Sequence, residues 1–226
     1  MSHPQPPLPF APPPFTRAGF LVSVSNAAAL DAISRPQAWP AHAFALIGPP
    51  GCGKSHLASV WAAETGGAVL TGPDLTLSLA AGAATPAIAL DDADQAPDPA
   101  ALFHLWNLMA QRGGKLLLVG ATPPATWAAP LADLASRLGA LAWAEIAAPD
   151  DALLEAMLVR MAQARHMRLD RRIVAYAVLR VERSYRGVQR FVAALDEALC
   201  NPGATLGLRL ASRVLDTLYA GGDAEA

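Results

Sequence analysis

The chain has 226 residues, 53% of them hydrophobic and 16% charged, with a net charge of −2 and a pI of about 6.2. That length suits one α/β domain followed by a small accessory domain. The charge balance argues against a protein that grips nucleic acid through a broad basic face, and no uninterrupted apolar run is long enough to span a bilayer.

Residues 2–16 are mostly proline and small or polar side chains, including Pro4, Pro6, Pro7, Pro9, Pro12, Pro13 and Pro14. Proline lacks the N–H that a helix or a central strand needs, so this stretch reads as an extended or disordered tail. It has no charged n-region followed by an apolar run, so it is no signal peptide, and the protein is expected in the cytoplasm. The globular part begins near Phe20. A short helix over 26–34 precedes a buried strand over 43–47. Gly48-Pro49-Pro50-Gly51-Cys52-Gly53-Lys54-Ser55 then fits G-x-x-x-x-G-K-[ST] without a mismatch, and His56 opens a helix over 56–63. Strand, glycine loop and helix is the order that phosphate binding requires. Glycines let successive N–H groups point inward, and the helix N-terminus adds positive potential. Lys54 would reach the β- and γ-phosphates and Ser55 would hold Mg²⁺.

Further along, strands are expected over 68–71 and 87–90, the latter ending in Asp91-Asp92. A helix capped by Asp98, with Pro99 at its first position, runs to Arg112 and stops at Gly113-Gly114. Strands follow over 116–119 and 141–146, with Arg137 on a short helix between them. Such alternation builds a parallel sheet flanked by helices. After Pro149 the pattern turns helical, over 150–167, 170–181, 184–199 and 206–219. In the third of these, Val188, Phe191, Val192, Leu195 and Leu199 form a core-facing stripe. The late arginines, Arg160 to Arg190, are interleaved with acids and read mainly as a solvated surface. Cys52 and Cys200 read as free thiols of a reducing compartment, since a disulfide would lock the phosphate loop.

A phosphate loop needs a metal partner. Asp91, at the end of an apolar strand, is placed to enter the Mg²⁺ shell, and Asp92 to orient an attacking water. The strand 116–119 should lie between the loop strand and the acid strand. Its end, Gly120-Ala121-Thr122, would then face the γ-phosphate, with Thr122 either a polar sensor or a plain strand end. Arg186 lies in the first turn of a helix, where a cation opposes the helix dipole unless an anion compensates it.

Taken together, Phe20–Asn26, Gly48–Leu57, Leu90-Asp91-Asp92, Leu117–Pro124, Leu134-Ala135-Ser136-Arg137-Leu138 and Ser184-Tyr185-Arg186-Gly187-Val188 resemble the AAA+ ATPases of the replication initiator DnaA, and more closely its short Hda-type regulatory inactivators. The resemblance runs from Phe20 to the end of the chain. It implies an AAA+ P-loop core over 19–148, a helical lid over 149–221 and a disordered end over 222–226, preceded by a proline-rich tail over 1–18. It makes Arg137 an arginine finger acting in trans and Arg186 a sensor-II arginine, with Val22 and Asn26 beside the adenine. ADP or ATP would be the ligand, contacted by Pro49, Pro50, Gly51, Cys52, Gly53, Lys54, Ser55 and His56. Gln5-Pro6-Pro7-Leu8-Pro9-Phe10 is similar to the Q-x-x-L-x-F peptide that docks on the sliding clamp, with Gln5, Leu8 and Phe10 as its anchors. The resemblance also sets Ala121 where DnaA carries an acid, which puts the chain's own hydrolysis in doubt.

The implied function is a clamp-associated negative regulator that stimulates ATP hydrolysis by DnaA. Its partners would be DnaA and the polymerase III clamp (β subunit), with DNA met mainly through the clamp and a homodimer possible. An autonomous ATPase acting as a loader or transposition helper, and a nucleotide-stabilised clamp adaptor, are the alternatives.

Overall fold

The computed structural model describes residues 15–127 and 130–220. Its centre is a parallel five-stranded sheet in the order β2-β3-β4-β1-β5. The strands are β1 (Ala43–Ile47), β2 (Ala68–Thr71), β3 (Ala87–Asp91), β4 (Lys115–Gly120) and β5 (Trp143–Glu145). β4 pairs with β3 on one side and β1 on the other, so it lies where the sequence predicts.

The central strands are apolar at consecutive positions because both sheet faces are covered. Leu116 and Leu118 of β4, with Ile88 and Leu90 of β3, enter one apolar layer. That layer is closed by α3 (Leu77–Gly82), α4 (Pro99–Gln111) and α5 (Ala132–Gly139). Leu117 and Val119 point the other way, with Phe44 and Leu46 of β1. There they meet α1 (Ala27–Ser34) and α2 (Lys54–Glu64) through Ile33, Leu57 and Trp61. Side chains two apart therefore share a core and neighbours do not.

The C-terminal helices α6 (Asp151–Ala164), α7 (Arg171–Val178), α8 (Tyr185–Leu199) and α9 (Leu208–Tyr219) build a separate core. The predicted stripe supplies it: Val188, Phe191, Val192 and Leu195 are fully buried. Three of these four helices start at a capping side chain. Asp150, Asp170 and Ser184 accept the N–H groups of Leu153, Ile173 and Gly187, each satisfying a donor that the helix leaves free.

Some boundaries differ from those expected. α6 ends at Ala164, not residue 167, because His166 takes a left-handed φ of 59° and the Met167 N–H returns to the Ala162 carbonyl. α2 begins at Lys54, two residues early, since Gly53 already serves as its N-cap. α3 was not foreseen. Its six residues are too few to show a period, and Thr76 starts it by accepting the Leu79 N–H.

Candidate functional site

The loop Gly48–Ser55 leaves β1 at the C-terminal edge of the sheet and opens α2. Gly48, Gly51 and Gly53 all have positive φ, and at the first two a Cβ would also collide. Gly48 has φ 151°, and a Cβ there would lie 2.2 Å from the Ile146 carbonyl oxygen. Gly51 has φ 74°, and a Cβ would lie 2.8 Å from Cβ of Ser184. A side chain is thus barred by backbone at one position and by the helical domain at the other.

Lys54 is 9% exposed. Its Nζ donates to the carbonyls of Gly48, at 2.7 Å, and Pro49, at 3.0 Å. The ammonium is thereby held inside the turn of the loop, and among the described residues it has no carboxylate partner. Ser55 stands exposed in the first turn of α2, while Pro49 and Pro50 form the outer rim. Cys52 points inward and joins the apolar layer under the loop. Burial pushes its thiol up, against the opposing pull of Lys54. The ring of His56 meets the Thr16 carbonyl at 3.0 Å and the edge of Phe20 at 5.4 Å between centroids. The entry segment therefore crosses the start of α2.

Asp91 closes β3, where its carbonyl accepts the Gly72 N–H at 2.6 Å. Asp92 follows in a left-handed conformation, φ 51°. Partial burial, with the charges of Asp91 and Asp94, raises its carboxyl above the usual range, while Lys54 acts in the opposite sense. Loop, lysine and acids thus share one electrostatic neighbourhood. Among the described residues no group of three or more His, Cys, Asp or Glu could hold a metal ion by itself. Ser55 and Asp91 are suited instead to an ion that also uses phosphate oxygens.

Sequence reasoning missed Asp94, in a 3-10 turn over Ala93–Gln95. Its Oδ2 accepts the Ala121 N–H at 2.8 Å, while its Oδ1 is buried without a partner. The acid was visible in Asp-Asp-Ala-Asp, but not the backbone group it would reach. Thr122 takes part in a local turn: its hydroxyl meets that of Thr126, and its carbonyl accepts from Trp127 Nε1.

The helical domain closes on the loop. The Tyr185 N–H donates 2.8 Å to the Gly51 carbonyl, so the first turn of α8, with exposed Arg186, stands at the phosphate loop. Arg137 belongs to another surface. From α5 it donates 2.6 Å to Oδ1 of Asn107 and lies 4.8 Å over the ring of Phe103, both on α4. Asn26 is 2% exposed, and its amide is spent on its own turn, accepting from Ser23 N and donating to the Leu21 carbonyl. Val22 is exposed and lines an open depression of about 640 Å³ with Leu21, Asp150, Leu153 and Arg183. Gln5, Leu8 and Phe10 lie outside the described residues.

The parallel five-stranded sheet flanked by helices, with its C-terminal helical region, matches the fold of AAA+ P-loop NTPase domains. Domain III of the replication initiation protein DnaA from Thermotoga maritima is similar over 91% of this chain and 97% of its own, with a TM-score of 0.73 and 19% identity. AMPPCP-bound DnaA from Aquifex aeolicus is similar over 93% and 90%, with a TM-score of 0.63 and 14% identity. The Thermotoga maritima Holliday junction branch migration motor RuvB is similar over 85% and 66%, with a TM-score of 0.66 and 20% identity. No family model and no curated protein matches the sequence. Among the described residues no helix is long and apolar enough to cross a membrane.

Proposed function

We propose that this protein binds adenine nucleotide with Mg²⁺ and acts as a clamp-associated negative regulator of replication initiation, stimulating ATP hydrolysis by DnaA. Lys54, the N–H groups of the loop and Arg186 hold the phosphates. Ser55 and Asp91 hold the ion, and Asp92 stands by for water. The glycine conformations, the lysine turned into its own loop and the first turn of α8 against Gly51 support this assignment. Nucleotide-bound DnaA among the similar structures supports it as well.

The regulatory part rests on one observation: Arg137 is anchored to α4, away from the contacts of its own loop. Its guanidinium is fixed there through Nη1 on Asn107 and the ring of Phe103, which leaves its other N–H groups to meet nucleotide on another subunit and stabilise transition-state charge. Gln5, Leu8 and Phe10 would tether the chain to the clamp and so to DNA. In a mixture with clamp-loaded DNA and radiolabelled ATP–DnaA, the wild type accelerates hydrolysis and Arg137→Ala does not. Equal hydrolysis by both ends the proposal. Substantial ATP turnover by the isolated chain, lost in Asp92→Asn, would favour an autonomous ATPase instead.

A further inference from the structure

Asp94 joins two parts of the site that sequence keeps far apart. Its Oδ2 accepts the Ala121 N–H at 2.8 Å, so the turn after β3 is fastened to the tip of β4. The fit around this bond is close. A Cβ at Gly120 would lie 2.5 Å from the Trp127 ring and 3.2 Å from Cγ of Asp94. Trp127 holds the other side of the tip through Nε1 and the Thr122 carbonyl, at 2.9 Å.

The position of the tip follows from strand order. β4 lies between β1, which feeds the phosphate loop, and β3, which ends in Asp91. A group extending from Lys54 toward the strand-end acids meets this edge of the sheet. Ala121 offers no polar side chain there, and the Thr122 hydroxyl already accepts from Thr126, so the part of the tip that Asp94 governs is its backbone. One carboxylate oxygen fixes that backbone. The other is buried without a donor, a cost that folding alone gives no reason to keep.

We infer that Asp94 is a positioning residue that sets the tip of β4 and through it lets the site distinguish a nucleoside triphosphate from a diphosphate. The inference rests on the proposed nucleotide binding. Asp94 acts through the backbone of the tip, which it holds at Ala121.

The test uses the full chain, Mg²⁺, fluorescent ADP and a fluorescent non-hydrolysable ATP analogue. Asp94→Ala should weaken the triphosphate about tenfold, as loss of one well-placed hydrogen bond does, and leave ADP within about twofold. Amide hydrogen exchange at Ala121 should rise in the same variant without ligand. Asp94→Asn, whose amide oxygen can accept the same N–H, should restore both the exchange protection and most of the triphosphate preference. An unchanged affinity ratio in Asp94→Ala, or equal loss of both nucleotides, overturns the inference and leaves nucleotide binding standing. A wild-type chain that binds neither nucleotide overturns the proposed function and this inference together.

Discussion

The backbone N–H of Tyr185 and the carbonyl of Gly51 form a 2.8 Å hydrogen bond between the helical domain and the phosphate loop. The adjoining contact explains why residue 51 is glycine. A Cβ there would come within 2.8 Å of Ser184 Cβ, and φ is 74°. Ser184 has little room to move: it is 3% exposed, caps α8 through Gly187 and donates to Glu182 at 2.6 Å. Gly51→Ala should therefore destabilise the fold by about 1–2 kcal/mol through backbone strain. It should also move the first turn of α8 off the loop. Thermal unfolding reads the first effect. A nucleotide affinity lowered at least tenfold in a variant that still folds reads the second, because Arg186 moves with that turn.

If Arg137 acts as proposed, Asn107 should matter to that regulatory activity without touching nucleotide. Its Oδ1 accepts from Arg137, a hydrogen bond to a charged group of the kind that contributes about 1.5–3 kcal/mol. Asn107→Ala frees the guanidinium to sample other rotamers, although Phe103 still lies beneath it. DnaA-dependent hydrolysis should fall severalfold, while nucleotide affinity of the isolated chain stays within about twofold. Arg137→Ala should remove the stimulation altogether under the same assay. Full stimulation by the Asn107 variant would show that the α4 contact is not what aims the arginine.

The acid pair at the end of β3 predicts a pH effect of definite sign. Partial burial and the nearby carboxylates raise Asp92 in the folded chain. In that case the folded state binds more protons than the unfolded state, so Asp92 subtracts stability as pH rises from the unfolded value, about 3.9, through the higher folded one. Above that window the carboxylate is charged and its unfavourable contribution is complete. Asp92→Asn should accordingly raise the midpoint of thermal unfolding at neutral pH without nucleotide, and the gain should vanish in acid. Any hydrolysis by the chain itself should fall in the same variant. A stabilised protein with a weakened site is the signature of a functional carboxylate held at a cost.

Much of this fold is legible in the sequence because strand and helix periods differ. The alternation of Leu116, Leu117, Leu118 and Val119 between two layers follows from consecutive apolar residues in a sheet covered on both faces. The phosphate loop is legible because its chemistry requires glycine and lysine at fixed spacing. The relations across the chain are not. Nothing local in Asp94 shows that it meets Ala121, or in Tyr185 that it meets Gly51, since sheet order and domain closure create those contacts. The resemblance suggested a place beside the adenine for Asn26, and the fold shows its amide already committed to residues 21 and 23. His166, left-handed without being glycine, ended a helix that hydrophobic periodicity alone would have carried further.

Lys54 gives the most direct separation of nucleotide binding from simple fold support. Its Nζ now satisfies the carbonyls of Gly48 and Pro49, so a phosphate must compete with, or share, those bonds. Lys54→Met retains much of the buried stem and removes the charge. The loop then keeps its glycine conformations but loses its only lysine, and nucleotide should no longer protect the protein against heat. A ligand at a hundred times its dissociation constant stabilises the native state by about 2.7 kcal/mol, which gives the wild type an easily measured shift. If Lys54→Met shows no shift and also fails to stimulate DnaA, bound nucleotide is part of the regulatory state. If it shows no shift yet stimulates fully, nucleotide serves only the fold, and the proposed contacts of the N-terminal tail and Arg137 are sufficient for the proposed function.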